Sequence, residues 1–379
     1  MTMYRILPHP LVNNYGGILQ AFALQHVLLG LGVNNQVIDF FSKNWGGLLK
    51  KEGIRSKCRN IKQLLKIILL AAPVSLPGMF YPHLFSAFKR RFMRLWNLDL
   101  ERNKLPELNG GESFIVGSDQ VWRCVYARNI ESVPFFFLNF ATPEQRQRSI
   151  AYAASFGSDE WEGTPEETEE CARLLRDFKV VSVREHSGIR LCREVFGVEA
   201  VQMPDPTLLL EQEDYDYLIR HWRTRPLPQP FMAVYLLDET AEKKALVQGL
   251  SQCTGLYPQH LMPHPGAKKL MDRLPLSVPQ WLRGIRDCEC VLTDSFHGCV
   301  FSIIFNKPFV CLGNENRGSA RFDSLLGTFG LQDRLVTNPT PGAIQKLMAT
   351  PIDWERVNNI RHSEQQRAIE FLNTNLRRD

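Results

Sequence analysis

Residues 13–40 read NNYGGILQAFALQHVLLGLGVNNQVIDF, and this stretch decides the fold. Two adjacent glycines, Gly16 and Gly17, precede an apolar run whose residues recur at helical spacing until Gly30 and Gly32 end it. The run after Gly32 is typical of a strand. A glycine turn, a helix and a strand in this order predict an α/β unit, in which helices pack on a parallel sheet.

The same alternation continues along the chain. Buried strands are predicted at SFIVGS (113–118), RSIAYAAS (148–155), VVSVRE (180–185), VEAVQMPD (198–205), FMAVYLL (231–237), CVLTDS (290–295) and PFVCLG (308–313). Helical patterns are found at 170–178, at 241–251, near 277–286, from Gly298 onward and at 354–378.

Three prolines in TRPLPQP (224–230) predict a linker, because such a stretch can neither continue a helix nor lie in a central strand. The chain has 379 residues, more than the roughly 250 to 300 at which a single core stops growing. Two α/β domains are therefore expected. The carboxyl ends of both sets of strands are expected to face a cleft between the domains. Such a cleft is where ligands bind.

Composition excludes several classes of protein. A net charge of +5 gives no support for nucleic-acid binding, and nine cysteines without a C-x-x-C pair indicate reduced thiols in a cytoplasm. The start, MTMYRILPHP, lacks the apolar stretch and cleavage site of a secretory signal. No H-E-x-x-H motif or carboxylate cluster is present, so neither a metal site nor metal dependence is expected.

Residues 61–80 form an apolar segment that two lysines and two prolines interrupt, so it is too broken to span a membrane. Lysines and arginines lie on both flanks, and peripheral membrane contact through residues 50–94 is one interpretation. An ordinary helical hairpin with solvated basic faces is the other, and it is the favoured one.

The run TDSFHG (293–298) lies at the end of a predicted strand and the start of a helix. A histidine there is close to backbone N–H groups that favour a bound anion, and imidazole is suited to proton transfer near neutral pH. His297 is therefore a candidate general acid or base. The alternative is a histidine that caps the helix or packs in the core.

Two further runs offer candidate binding residues. Asn14, Tyr15, Gly16 and Gly17 can form an anion cradle, or they can be a plain tight turn. No G-x-G-x-x-G fingerprint accompanies them, so a dinucleotide is not indicated.

In FIVGSDQVW (114–122) the polar side chains follow a strand and face the rim of the cleft. Asp119 can orient a sugar hydroxyl or act as a base, and its alternative is a helix cap. Trp122 can stack on a sugar ring, although an aromatic side chain here is more often part of the core.

Taken in order, these motifs resemble the polysaccharide pyruvyl transferase family. The motifs are NYGGILQAFALQ (14–25), FIVGSDQVW (114–122), YAASFG (152–157), SVRE (182–185), DPTLLL (205–210), TDSFHG (293–298) and SARFDSLL (319–326). The resemblance implies two Rossmann-like domains in a GT-B-like arrangement with a cleft between them. With the linker at 224–230, the N-terminal domain is expected at 1–223, with a basic helical insertion at about 42–110, and the C-terminal domain at 231–350. The resemblance adds a helix in 351–379 that crosses back to the N-terminal domain.

The resemblance also implies the reaction. Pyruvate moves from phosphoenolpyruvate to a pair of glycan hydroxyls, free or lipid-linked, to give a cyclic ketal and phosphate. The expected setting is the synthesis of a bacterial cell-surface polysaccharide or exopolysaccharide, in the cytoplasm or peripherally at the inner face of the membrane, with no cofactor. His297 would transfer a proton, either to the methylene carbon or in support of phosphate departure. Arg184 would hold donor anions, the alternative being a surface arrangement with Glu185.

The implied binding sites include most of the motif residues. Donor-binding candidates are Asn14, Tyr15, Gly16, Gly17, Ser295, Gly298, Arg317 and Arg321, and acceptor-binding candidates are Ser118, Asp119, Gln120 and Trp122. Asp205 and Pro206 are interpreted as turn residues that build structure.

One departure from the family pattern leaves alternatives open. In a well-studied branch, arginine and leucine precede the histidine-glycine pair, whereas Ser295 and Phe296 stand here. Either Arg317 or Arg321 replaces the missing arginine, or the donor is not phosphoenolpyruvate. The alternative functions are a GT-B glycosyltransferase that uses a nucleotide sugar and a non-catalytic glycan-binding relative.

Overall fold

The computed structural model describes residues 2–40, 76–98, 110–264, 273–313 and 320–376. Arg317 and much of the predicted basic insertion at 42–110 lie outside these ranges. Within them the chain is an α/β protein with two parallel sheets, one on each side of the proline-rich linker.

The first sheet contains seven parallel strands in the order β3-β2-β1-β4-β5-β6-β7. Its strands are β1 (Met3–Leu7), β2 (Asn35–Phe40), β3 (Leu95–Leu98), β4 (Glu112–Val116), β5 (Ile150–Ala154), β6 (Val180–Val183) and β7 (Val201–Gln202). The first six follow the Rossmann order, in which ligands bind where the strand order reverses, here between β1 and β4. The Rossmann-like prediction is confirmed for this sheet.

The second sheet contains five parallel strands in the order β12-β11-β10-β8-β9. They are β8 (Phe231–Tyr235), β9 (Tyr257–His260), β10 (Cys290–Thr293), β11 (Phe309–Leu312) and β12 (Leu335–Val336). This is the other common doubly wound order, and its reversal lies between β8 and β10.

Helices connect the strands and cover both sheets. In the described ranges the α-helices are α1 (Tyr15–Gly30), α2 (Leu76–Phe92), α3 (Cys124–Ile130), α4 (Pro143–Arg146), α5 (Pro165–Leu175), α6 (His186–Phe196), α7 (Gln212–Arg220), α8 (Ala241–Thr254), α9 (Val278–Arg286), α10 (Phe296–Ile304), α11 (Ala320–Phe329), α12 (Pro341–Ala349) and α13 (Trp354–Asn375). Short 3₁₀ helices lie at Pro134–Phe137, Pro206–Leu209 and Gln332–Arg334.

Helix α1 is apolar on nearly every face, and it is accordingly buried along most of its length. Its N-cap is Asn14, whose side-chain oxygen accepts a hydrogen bond from the Gly17 N–H at 3.0 Å. The helix packs in a hydrophobic core that continues from the first sheet into the second. This core holds the N-terminus of α1 against the second unit.

Residues near both ends of the chain join the units. The Tyr15 ring stacks on Trp281 of α9 with centroids 5.4 Å apart, and its hydroxyl donates a hydrogen bond to the Leu276 carbonyl at 2.8 Å. At the end of the chain, α13 lies against the segment that follows β7, where Gln365 donates to the Leu208 carbonyl at 2.9 Å.

The structure corrects the bounds of two predicted elements and contains strands that were not predicted. The strand predicted at 198–205 is reduced to Val201–Gln202, because Pro204 and Asp205 lead directly into a 3₁₀ turn. The helix predicted from Gly298 begins two residues earlier, at Phe296. Strands β1, β3, β9 and β12 were not predicted, and the sequence of β9, YPQH, lacks an apolar run.

The predicted membrane-contact region is described only from residue 76 onward. Lys89, one of its basic residues, is buried and donates to both carboxylate oxygens of Asp39 at 2.7 and 2.6 Å, so this charge is unavailable to a membrane surface. Among the helices that the structure describes, none has the length and apolar character needed to cross a bilayer.

Candidate active site

Asn14, Asp119 and His297 lie where the strand order of each sheet reverses. In the first sheet, β1 leads to Asn14 and β4 leads to Asp119. In the second sheet, β10 leads through Asp294 into α10, which carries His297 as its second residue. The ligand-binding edges of the two doubly wound sheets therefore face the same place.

The N-terminal turns of α1 and α10 are in direct contact. A Cβ atom at Gly16 would lie 1.9 Å from His297 Nδ1, so only glycine leaves room for the imidazole. Gly298 likewise lets α10 pack closely on its strand, since a Cβ there would lie 2.1 Å from Thr293 Oγ1. Two helix N-termini thus converge on one point, and their positive dipole ends favour a bound anion.

Asn14 connects this point to the end of β4. While its oxygen caps α1, its Nδ2 donates a hydrogen bond to Asp119 Oδ2 at 2.9 Å. The other oxygen of Asp119 lies 3.7 Å from Arg184 Nη2, which is too long for a hydrogen bond.

Arg184, Asp205 and His297 form the centre of the site. Arg184 Nη1 donates to Asp205 Oδ2 at 2.7 Å, and His297 Nε2 lies 3.5 Å from the same oxygen. Thr207 holds the other oxygen through its backbone N–H at 3.0 Å and its hydroxyl at 2.6 Å. All three central side chains are at most 7% exposed. A carboxylate fixed in this way can orient the imidazole for proton transfer.

The charges of the centre stabilise one another. Burial alone would raise the pKa of Asp205, but His297 and Arg184 hold it well below the ordinary value. Burial would likewise raise the pKa of Asp119, and the charges of Arg184 and His9 lower it instead. Burial would lower the pKa of Arg184, yet Asp205 and Asp119 raise it above the ordinary value. Both aspartates are therefore ionised beside a charged arginine near neutral pH.

One edge of the Arg184 guanidinium makes no hydrogen bond to the described residues. Its Nε and Nη2 atoms are buried and have no hydrogen-bond partner among the described residues. These two donors form the fork that binds a carboxylate or phosphate bidentately. A buried donor pair of this kind is costly to leave unsatisfied, so it indicates a binding place for an anion.

Arg321 brings a second guanidinium to the same region. Phe296 lies under Arg184 at 4.3 Å from its ring centroid, and Arg321 lies 5.9 Å from the same centroid. Burial and the charge of Arg184 lower the pKa of Arg321 to about 10, so both arginines are cationic at neutral pH. A small cavity of about 30 Å³ is lined by Arg184, Asp205, Phe296 and Arg321, together with residues of α11 and α13.

Three of the predicted contact residues are corrected. The side chains of Tyr15 and Trp122 are 1% and 0% exposed, and Trp122 stacks on Phe137 while its N–H bonds to the Phe136 carbonyl. Ser118 is fully buried, and its hydroxyl donates to the Ala153 carbonyl. Because each is enclosed by the core, none offers a face or a free hydroxyl to a ligand.

The other predicted residues differ in position. Gln120 is partly exposed and accepts a hydrogen bond from Arg123 at 3.3 Å. Ser295 is the N-cap residue of α10, although its side chain makes no capping hydrogen bond. Arg317 lies outside the described residues, so of the two candidate replacement arginines only Arg321 is placed.

Asp205 is the functional candidate that sequence reasoning missed. Its Asp-Pro pair indicated turn chemistry, and the side chain does bond to Thr207 as a turn residue would. The available signal was its place after a strand in an ordered motif, which puts a carboxylate at the ligand-binding edge of the first sheet.

The family model "Polysaccharide pyruvyl transferase" matches residues 14–316, a range that includes Asn14, Asp119, Arg184 and His297. No curated protein matches the chain in sequence.

Among solved structures, the chain is similar to two UDP-N-acetylglucosamine 2-epimerases. For the enzyme from Methanocaldococcus jannaschii the TM-score is 0.49 and the identity 11%, over 98% of this chain and 99% of that chain. For the enzyme from Rickettsia bellii the values are 0.45 and 10%, over 98% of each chain. Similarity at this level carries no information about substrate. The match to the family model does identify the protein: the chain belongs to the polysaccharide pyruvyl transferase family, and it is a transferase.

Proposed function

We propose that this chain transfers pyruvate from phosphoenolpyruvate to two hydroxyls of a sugar, and that phosphate is released. The acceptor in this proposal is a bacterial cell-surface polysaccharide or exopolysaccharide, or its lipid-linked precursor, on the cytoplasmic side of the membrane. The observation that carries the proposal is the unsatisfied Nε and Nη2 edge of Arg184, buried beside His297 where the N-termini of α1 and α10 meet. Phosphoenolpyruvate carries a carboxylate and a phosphate, and such a site binds both kinds of group.

Arg321 is proposed to replace the arginine that the family pattern places two residues before the histidine. It shares the Phe296 ring with Arg184, and its lowered pKa reflects the charge of that neighbour. A bound dianion would relieve the repulsion between the two guanidinium groups. This favours a donor with two anionic ends over one that is neutral.

His297 is proposed to give a proton to the methylene carbon of phosphoenolpyruvate, which makes C2 electrophilic. One sugar hydroxyl attacks C2, the C2–O bond to phosphate breaks, and the second hydroxyl attacks C2 to close the ketal. One hydroxyl proton replaces the proton that His297 gave, and the other leaves on phosphate. Asp205 holds the imidazole during these steps, 3.5 Å from Nε2.

Asp119 is proposed to accept the proton of the attacking hydroxyl and to pass it to the departing phosphate. Its carboxylate is ionised near neutral pH because Arg184 and His9 lower its pKa against the effect of burial. Asn14 fixes its orientation through the 2.9 Å hydrogen bond. Gln120, at the partly exposed rim, is the remaining candidate for a contact to the acceptor sugar.

The test is incubation of the protein with phosphoenolpyruvate and a panel of free and lipid-linked glycans. Phosphate release and a mass gain on the glycan are measured together. We expect His297→Asn to lower the rate by about 100-fold or more while donor binding persists, because general acid catalysis contributes that much. Arg184→Lys should weaken donor binding, measured by calorimetry, by about tenfold or more, because the planar fork is lost.

Two exposed residues of the same types serve as controls. His221→Asn and Arg193→Lys change surface side chains away from the site and should leave both measurements unchanged. The proposal is wrong if phosphoenolpyruvate neither binds nor turns over while a nucleotide sugar does. Glycan binding without any phosphate release would instead identify a non-catalytic relative.

A further inference from the structure

Glu239, His260 and His264 form a cluster at the carboxyl edge of the second sheet. Glu239 lies in the loop after β8, His260 is the last residue of β9, and His264 follows four residues later. The strands β8 and β9 are parallel neighbours, with Val234 in register with His260, so their ends meet at the same edge. His260 and His264 are four residues apart, but Glu239 lies well before them in sequence and no H-E-x-x-H motif is present, which is why the sequence predicted no metal site.

The spacing of the three side chains fits a shared metal ion. His260 Nδ1 lies 3.4 Å and His264 Nδ1 lies 3.5 Å from the same oxygen, Glu239 Oε1, and the three ligand atoms are within 4.8 Å of one another. Good N–H···O hydrogen bonds are shorter, about 2.7 to 3.2 Å. Ligands bound tetrahedrally at about 2.0 to 2.1 Å from Zn²⁺ are separated by about 3.3 to 3.4 Å, close to the observed values.

The cluster is open to solvent, and one imidazole has to turn for all three side chains to bind an ion. The two imidazole rings are stacked with centroids 4.3 Å apart and planes within 15°, so one ring has to turn about its Cβ–Cγ bond before both Nδ1 lone pairs point at one ion. The three side chains are 21 to 26% exposed, so an ion can enter from solvent. Lys244 Nζ lies 3.7 Å from the other Glu239 oxygen, Oε2, and leaves Oε1 to the histidines. Lys244 is more than half exposed and can turn away when a cation binds.

We propose that Glu239, His260 and His264 bind a Zn²⁺ ion. Two imidazoles and one carboxylate are the protein ligands of a common class of zinc site, which leaves a fourth position for water or an anionic ligand. Borderline nitrogen ligands favour a transition metal over Mg²⁺ or Ca²⁺, which prefer oxygen. The proposal does not depend on the pyruvyl transfer reaction.

Asp294 connects this cluster to the candidate active site. It accepts hydrogen bonds from the Leu237 N–H at 2.6 Å and the Asp238 N–H at 3.3 Å, in the loop that carries Glu239. It also lies three residues before His297, at the start of the turn into α10. A metal ion that holds the loop after β8 would therefore also stabilise the segment that positions His297.

The experiment uses the full chain without an affinity tag, after treatment with a chelator. Zn²⁺ is titrated against a chromophoric competitor, and bound metal is measured after dialysis. We expect one equivalent of Zn²⁺ for the wild type, and a loss of affinity of at least about 100-fold for His260→Ala/His264→Ala, because metal ligands dominate affinity. Glu239→Gln should weaken binding by about tenfold or more.

The matched control is His362→Ala, which removes a surface histidine 3.8 Å from Glu211 but breaks no three-residue cluster. It should bind Zn²⁺ as the wild type does. Co²⁺ bound to the wild type should show the intense visible absorption of a tetrahedral site, and this readout needs no variant. The proposal is overturned if the wild type retains no more Zn²⁺ than the double variant, or if its Co²⁺ spectrum is the weak one of an octahedral aquo ion.

Discussion

Gly16 is the residue at which the first unit touches the proposed catalytic histidine. A Cβ atom added to Gly16 would lie 1.9 Å from His297 Nδ1, far below any van der Waals contact, and 2.2 Å from Cγ of the ring. Because both atoms belong to the near part of a buried ring, a small rotation cannot relieve the overlap. The glycine is therefore required by the close approach of the two helices.

We expect Gly16→Ala to displace His297 and to lower pyruvyl transfer by about 100-fold, since misplacement by about 1 Å can cost that much. Gly30→Ala is the control, because it lies in the same helix and a Cβ there meets nothing within 4 Å. The measurement is the rate of phosphate release, with circular dichroism to check the fold. Equal rates for the two variants would contradict this account of Gly16.

At the scale of the element, the N-terminus of α1 has two functions that depend on one side chain. The Oδ1 atom of Asn14 caps the helix, and its Nδ2 donates to Asp119. Serine and aspartate are both good N-cap residues, so either of them in place of Asn14 can still cap the helix. Neither can donate the hydrogen bond to Asp119, because serine is too short and aspartate carries a negative charge.

We expect Asn14→Ser to keep the cap and to lose about 1 to 2 kcal/mol of stability, with little dependence on pH between about 5 and 8. Asn14→Asp should lose about 1 to 3 kcal/mol more at pH 8, because two carboxylates would face each other and raise a pKa. A carboxyl group whose pKa is raised by folding destabilises the folded protein at pH values above that pKa. The loss of stability should therefore shrink as the pH falls. Urea unfolding at pH 5 and pH 8 measures both variants, and identical losses for Asn14→Asp at the two pH values would count against the contact.

At the scale of the whole molecule, the last helix joins the two units. Arg361 of α13 is 5% exposed, and it donates to the Leu210 carbonyl at 3.1 Å and to Glu211 Oε2 at 2.6 Å. Both acceptors belong to the segment between the first sheet and α7. Helix α13 is thus hydrogen-bonded to the segment of the chain that also carries Asp205.

We expect Arg361→Ala to lower the free energy of unfolding by about 2 to 3 kcal/mol, because it leaves a buried carbonyl and a carboxylate without their donor. Arg356→Ala, an exposed position on the same helix, should change it by about 0.5 kcal/mol or less. Urea midpoints measure the difference, and trypsin cleavage after Arg223, beside the linker, should accelerate in the first variant alone. Similar urea midpoints for the two variants would show that the Arg361 contacts of α13 do not stabilise the protein.

The elements and the site differ in how far the sequence predicts them. The helix at 15–30 and the strands at 113–116 and 290–293 follow from apolar periodicity and turn residues, which act over a few positions. Strand β9 has no such signal, because its sequence YPQH lies at a sheet edge and is only partly buried. Its place depends on pairing with β8, a contact between distant segments.

The sequence by itself determined an α/β chain, two sheets on either side of a proline-rich linker, and the family. Local patterns and ordered motifs are properties of neighbouring residues, so they need no tertiary information. Only the tertiary structure decided that Asp205 joins Arg184 and His297, that Trp122 and Tyr15 are enclosed, and that Arg321 shares the Phe296 ring. Burial and charge pairing depend on which strand ends are neighbours and on how closely two helices approach, and neither is encoded in a single segment.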